Sequence, residues 1–154
     1  MTSSAHPTPA ERIAAAATTG LTGPADTPVA EAMAPDILAV PPGASLPDVA
    51  RTLARERVHA VVVADHAADG GLAPGPWGFV SDLDVVRAAA GEALELPRPA
   101  VTVAASATLV AAGRLMGRHE VSHLVVTDES GDHAVGVVSA LDVARHIAFG
   151  RAER

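Results

Sequence analysis

The run Gly78-Phe79-Val80-Ser81-Asp82-Leu83-Asp84 returns as Gly136-Val137-Val138-Ser139-Ala140-Leu141-Asp142, 58 residues later (139 − 81). Upstream, a shift of 63 residues (101 − 38) superposes Leu38–Asp65 on Val101–Asp128 without a gap. Val40 then falls on Val103, Leu46 on Leu109, Arg51 on Arg114, Val58 on Val121 and Asp65 on Asp128. The five residues by which the shifts differ (63 − 58) sit in the Gly- and Pro-rich loop between Asp65 and Pro76. An internal duplication constrains the fold more than any single motif, because each copy is one supersecondary unit that needs its neighbour to bury its apolar face. With 154 residues, 49% of them hydrophobic, the two copies can share one core.

The element order within a copy follows from periodicity. Ile37–Val40 reads as a strand halted by Pro41-Pro42-Gly43, which cannot continue a ladder. Ser45 caps a helix whose apolar positions Leu46, Val49, Ala50, Leu53, Ala54 and Val58 recur at the helical period. Ala60–Ala64 is a β-branched run suited to a buried strand, and Trp77–Val80 is a second strand. Asp82–Ala90 is a helix closed by Gly91. The second half predicts strand Val101–Val103, helix Thr108–His119, strands His123–Thr127 and Ala134–Val138, and helix Ala140–Ala148. The expected fold class is α/β, two repeated β-α-β-β-α motifs, the first at about 29–91 and the second at about 99–150. Residues 1–28 offer few large apolar groups and read as a flexible tail, with a transient helical turn over Ala10–Ala17. Val29–Met33 reads as a single turn leading into the fold. Gly113 and Gly117, costly inside a helix, predict close approach to another helix.

In both Ser-x-x-Asp turns a hydroxyl and a carboxylate stand where a helix opens. One reading is a capping box, which needs no ligand. The other is a ligand site, since free N–H groups and the helix dipole favour anions there and a carboxylate can accept both hydroxyls of a vicinal diol. No activated nucleophile or acid–base pair stands beside the turns, so binding without catalysis is expected. Cysteine is absent, which removes disulfides, thiol nucleophiles and cysteine–zinc sites. All eleven basic residues are Arg, which removes Schiff-base and P-loop lysines. A net charge of −7 with two Phe, one Trp and no Tyr argues against nucleic acid. No apolar run nears the ~20 residues of a membrane span, and the expected location is the cytoplasm, away from membrane. His119-Glu120-Val121-Ser122-His123 matches the His-Glu-x-x-His zinc motif, but the repeat alignment ends the helix inside it, leaving the two His on different elements. Trp77, beside a buried strand, is expected to pack.

The strand–helix–strand–strand–helix order resembles the tandem CBS domain pair, or Bateman module. So do the passages Val58–Asp65 and Val121–Asp128 and the two Gly-x-x-Ser-x-x-Asp turns. The likeness covers about Val29–Ala148. It implies two motifs packed sheet to sheet about a pseudo-twofold axis, two pairs in a flat homodimeric disc, and clefts that take AMP, ADP, ATP or S-adenosylmethionine. It further implies that Asp84 and Asp142 hold a ribose diol, that Ser81 and Ser139 face phosphate, and that Ala39, Val40, Thr102 and Val103 border the base. Val62 and Val125 stand in the second strands where the family often has Pro, and no cluster of phosphate-binding Arg is evident. The expected function is a non-catalytic regulatory sensor acting through an unidentified effector protein. The alternative is a ligand-free interaction module.

Overall fold

The computed structural model of the chain describes residues 26–150. Most of the expected tail, including the turn at Ala10–Ala17, lies outside them. The described residues carry two sheets and four α-helices. The first repeat contains β1 (Ala39–Val40), α1 (Leu46–Glu56), β2 (Ala60–Val63), β3 (Gly78–Ser81) and α2 (Asp82–Ala89). After β4 (Arg98–Pro99), the second contains β5 (Thr102–Ala104), α3 (Leu109–His119), β6 (His123–Thr127), β7 (Ala134–Ser139) and α4 (Ala140–Phe149). The first sheet has the order β1-β2-β3-β4 and the second β5-β6-β7. In each, the first pair is parallel and the next antiparallel.

Ser45 caps its helix as expected, whereas Thr108, expected as the first helical residue, is the cap that precedes the helix. Ser45 Oγ accepts from Asp48 N (3.3 Å) at the start of α1, and Thr108 Oγ1 accepts from Ala111 N (3.1 Å) at the start of α3. Both helices end on a left-handed residue at equivalent positions, Arg57 (φ 55°) and Glu120 (φ 53°), so Val58 lies past the helix. Single αL residues commonly end helices and turn the chain sharply, which here sends it into β2 and β6.

The Val-rich strands are buried on both faces, which is why they do not alternate with polar residues. Val61 and Val63 pack with Val49 and Leu53 of α1, while Val62 points the other way and meets Val125 of the second repeat, together with Trp77. Leu124 and Val126 pack with Leu109, Ala112 and Met116 of α3. The motifs therefore meet sheet to sheet, and Val62 and Val125, where the family often has Pro, lie at that seam. Trp77 packs as expected, its indole N–H bonded to Ala73 O (2.9 Å).

The segments leading into the two repeats are exchanged. Residues 27–34 do not join the first sheet. Thr27 O accepts from Leu109 N (2.9 Å), Val29 is fully buried in the α3 core, and Ala34 forms an antiparallel bridge to Val137 of β7. Thr27 and Pro28, placed in the tail by composition, thus already pair with the second repeat. Symmetrically, the leader of the second repeat supplies β4, which pairs with β3 through Phe79↔Arg98. The glycine of each repeated turn makes this possible. A Cβ on Gly136 would stand 2.7 Å from Ala34 O, and one on Gly78 would stand 2.7 Å from Pro97 Cβ. By contrast, a Cβ on Gly113 or Gly117 meets nothing within 4 Å, so the close helix contact expected of these two is not formed among the described residues.

Candidate functional site

Both Ser-x-x-Asp turns close as capping boxes. Ser81 Oγ accepts from Asp84 N (3.1 Å) while Asp84 Oδ2 accepts from Ser81 N (3.0 Å). Ser139 Oγ accepts from Asp142 N (3.1 Å) while Asp142 Oδ2 accepts from Ser139 N (2.8 Å) and Ser139 Oγ (2.9 Å). The reciprocal bonds satisfy otherwise orphaned donors at the openings of α2 and α4. What the carboxylates have left differs. Asp84, 5% exposed, gives its second oxygen to Arg98 Nε (2.9 Å). Asp142 Oδ1 accepts no hydrogen bond among the described residues.

Two clefts adjoin the turns. The first, about 500 Å³, lies between the repeats and is lined by Ser81, Asp84, Arg98, His123 and Ser139. The second, about 400 Å³, is walled by Glu31–Ala34 of the exchanged leader and by Asp142, Arg145, His146 and Phe149 of α4. The structure thus brings Ser81, Asp84 and Ser139 to the first cleft and Asp142 to the second. Ala39, Val40, Thr102 and Val103, expected to border the base, line neither of these two clefts. β1 and β5 are edge strands, each separated from the strand ending in Ser by the whole of β2 or β6. Val40 and Val103 are buried in the two helix–sheet cores, Ala39 packs at the seam between the sheets, and Thr102 faces outward.

Several residues of the site were not singled out in the sequence. Arg87 and Arg98 both line the first cleft, although eleven residues separate them (98 − 87). Each is engaged: Arg98 with Asp84, and Arg87 with Glu92 (2.6 Å). Arg145, the repeat equivalent of Arg87, forms no ion pair among the described residues. His59 Nδ1 lies 2.8 Å from Asp82 Oδ2, and this bond is the chief cause holding the Asp82 carboxyl below its ordinary value. His123, half-buried, lies 2.9 Å from Ser122 Oγ and has its ring centroid 6.1 Å from that of Phe79. Burial is the main cause pushing the His123 imidazole pKa down, and His59 adds to it against the opposing pull of Asp142 and Asp82. His59 lies two residues after the left-handed Arg57 and His123 three after the left-handed Glu120, so the 63-residue shift sets His59 on Ser122 and gives no repeat signal for the pair.

The zinc motif fails geometrically. α3 ends at His119, Glu120 is left-handed and His123 opens β6, so the two His do not share a helical face. No group of three or more potential ligands is placed to hold a metal among the described residues. No helix of the described residues is long and apolar enough to cross a membrane.

Two β-α-β-β-α motifs, packed sheet to sheet and each opening a helix at Ser-x-x-Asp, define a tandem CBS domain pair. The CBS domain model matches residues 29–91 and 94–149, and the chain belongs to that family. Among solved structures, the CBS domain pair of protein MJ0100 with 5′-methylthioadenosine and S-adenosyl-L-methionine is similar at 19% identity and a TM-score of 0.64, covering 77% of this chain and 98% of that one. The CBS domain protein PAE2072 from Pyrobaculum aerophilum, complexed with AMP, is 26% identical with a TM-score of 0.58, covering 79% and 98%. The CBS domain of the bacterial CNNM/CorC family Mg2+ transporter in complex with ATP is 23% identical with a TM-score of 0.63, covering 84% and 92%. No curated protein sequence matches the chain.

Proposed function

We propose that this chain is a non-catalytic regulatory module that binds an adenosyl ligand in the second cleft, with the ribose diol on Asp142. The observation that carries this is the unengaged Asp142 Oδ1 beside a cleft of about 400 Å³. Its partner oxygen is fixed by Ser139, so the carboxylate is oriented before the ligand arrives and little ordering entropy is lost on binding. Arg145 stands in the same cleft as a cation for phosphate. The similar structures that hold AMP, ATP, S-adenosylmethionine or methylthioadenosine support the ligand class. Leu83 and Val86 of α2 and Leu141, Ile147 and Phe149 of α4 are exposed, and a second copy of the chain would cover them in a homodimer. The signal passes to an effector protein in the cytoplasm.

Titration calorimetry with AMP, ADP, ATP and S-adenosylmethionine tests the reading. Asp142→Ala is expected to weaken the best ligand by about 1.5–3 kcal/mol, the worth of hydrogen bonds to a charged group. A 2′,3′-dideoxy analogue should show the same loss and add little to it in the variant, since both remove one interaction. The closure of both turns as capping boxes favours a ligand-free interaction module as the second reading. Absence of heat and of melting shift with all four compounds would establish that one.

A further inference from the structure

The two Ser-x-x-Asp turns descend from one duplicated unit, yet their carboxylates are in different states. The difference comes from one residue of the exchanged leaders. In the first sheet Arg98 faces Phe79, and from there its Nε reaches Asp84 Oδ1. In the second sheet the residue facing the equivalent Val137 is Ala34, whose methyl group can pair with nothing. Asp84 therefore has one oxygen in its cap and the other under a guanidinium, with its side chain 7% exposed against 45% for Arg98. For a ribose diol to reach Asp84 it must displace a charge-assisted bond with two neutral donors. It would also strip a buried carboxylate of its counter-charge, a state proteins tolerate poorly.

Resting on the reading proposed above, we infer that Arg98 is the specificity-determining residue that closes the first cleft to a ribose diol. One chain then holds one nucleoside, in the second cleft. The shared Ser-x-x-Asp motif confers a site only where the leader of the other repeat leaves its carboxylate unpaired.

Adenosine, which has the diol and no phosphate, is the probe, and calorimetry of the full chain is the readout. Wild type is expected to bind one adenosine per chain, and Asp142→Ala to lose it. Arg98→Gln keeps a donor of similar reach without charge and is expected to bind two. In the Asp142→Ala background, Arg98→Gln should raise adenosine affinity by about ten- to a hundredfold, the scale of a hydrogen bond to a charged group. The converse variant needs no change at Arg98. Ala34 is exposed, so Ala34→Arg should fold and install the same block on Asp142. It is expected to cut adenosine affinity by a similar factor, while Ala34→Gln, nearly as long and uncharged, keeps most of it. Two adenosines per wild-type chain would overturn the inference. So would one adenosine lost in Asp142→Ala but unaffected by both Arg98→Gln and Ala34→Arg, and that result leaves the Asp142 reading standing. Absence of adenosine binding to wild type and to Arg98→Gln alike would overturn both.

Discussion

Gly136→Ala is a one-methyl change whose cost can be worked from the leader exchange. Gly136 is buried in β7 and is not in the left-handed region, so space is the reason for glycine there. The new Cβ would stand 2.7 Å from Ala34 O and 2.7 Å from Met33 Sδ. The thioether can swing away, but the carbonyl is backbone and is bonded. To reach an ordinary contact of 3.4 Å, the leader must retreat by about 0.7 Å (3.4 − 2.7). The bonds Val137 N to Ala34 O (3.0 Å) and Ala34 N to Val137 O (2.8 Å) would then be stretched towards or past the 3.5 Å limit of a hydrogen bond. Each is worth about 1 kcal/mol net, and overpacking adds about 1–3 kcal/mol. Reduced freedom of the unfolded chain offsets about 0.5–1 kcal/mol. The expected destabilisation is about 2–4 kcal/mol, read as a lower urea midpoint at an unchanged slope. Gly113→Ala is the control: its Cβ meets nothing within 4 Å in the interior of α3, and it should stabilise by up to about 1 kcal/mol. Should both substitutions shift the midpoint upward, the leader is not seated on β7 and the exchange is refuted.

Three further outcomes are expected. Val29→Ala, at a fully buried position in the α3 core, should cost about 2 kcal/mol, read as a lower urea midpoint; an unchanged midpoint would refute the docking of the leader on α3. The His123 pKa is lowered in the fold, so the unfolded chain binds more protons between that lowered value and 6.5. Stability should therefore be full above pH 6.5 and fall as pH drops towards the lowered value, and His123→Asn should remove that part of the slope from a melting profile between pH 5 and 8. Sedimentation should give a dimer, and Val86→Asp with Phe149→Ser, both on exposed apolar positions, should give a folded monomer; a wild-type monomer at high micromolar concentration would refute the covered face.

Local chemistry made most of the elements legible in advance. Ser45, Ser81 and Ser139 cap helices that open where the sequence places them, because a cap is a bond spanning three residues and is written in adjacent letters. The Val runs became strands buried on both faces, and the 63-residue shift aligned even the two left-handed helix ends, Arg57 and Glu120. The turn expected over Val29–Met33 is present as a 3-10 turn at Val29–Glu31, but the pairing of the leaders is not legible in the sequence. Residues 27–34 and 98–99 carry no period of their own and gain their structure by pairing with strands of the other repeat, through backbone groups that every sequence possesses. The glycine of each turn was visible, but its purpose depended on which chain passes within 2.7 Å of it. The same holds for the site. Ser-x-x-Asp announced two equal carboxylates; Arg98, fourteen residues from Asp84, made them unequal. Sequence alone determined the repeated unit, its caps and its buried strands, since these rest on interactions a few residues long. Only the tertiary structure decided which carboxylate is left with an unpaired oxygen, because that depends on which leader crosses which sheet.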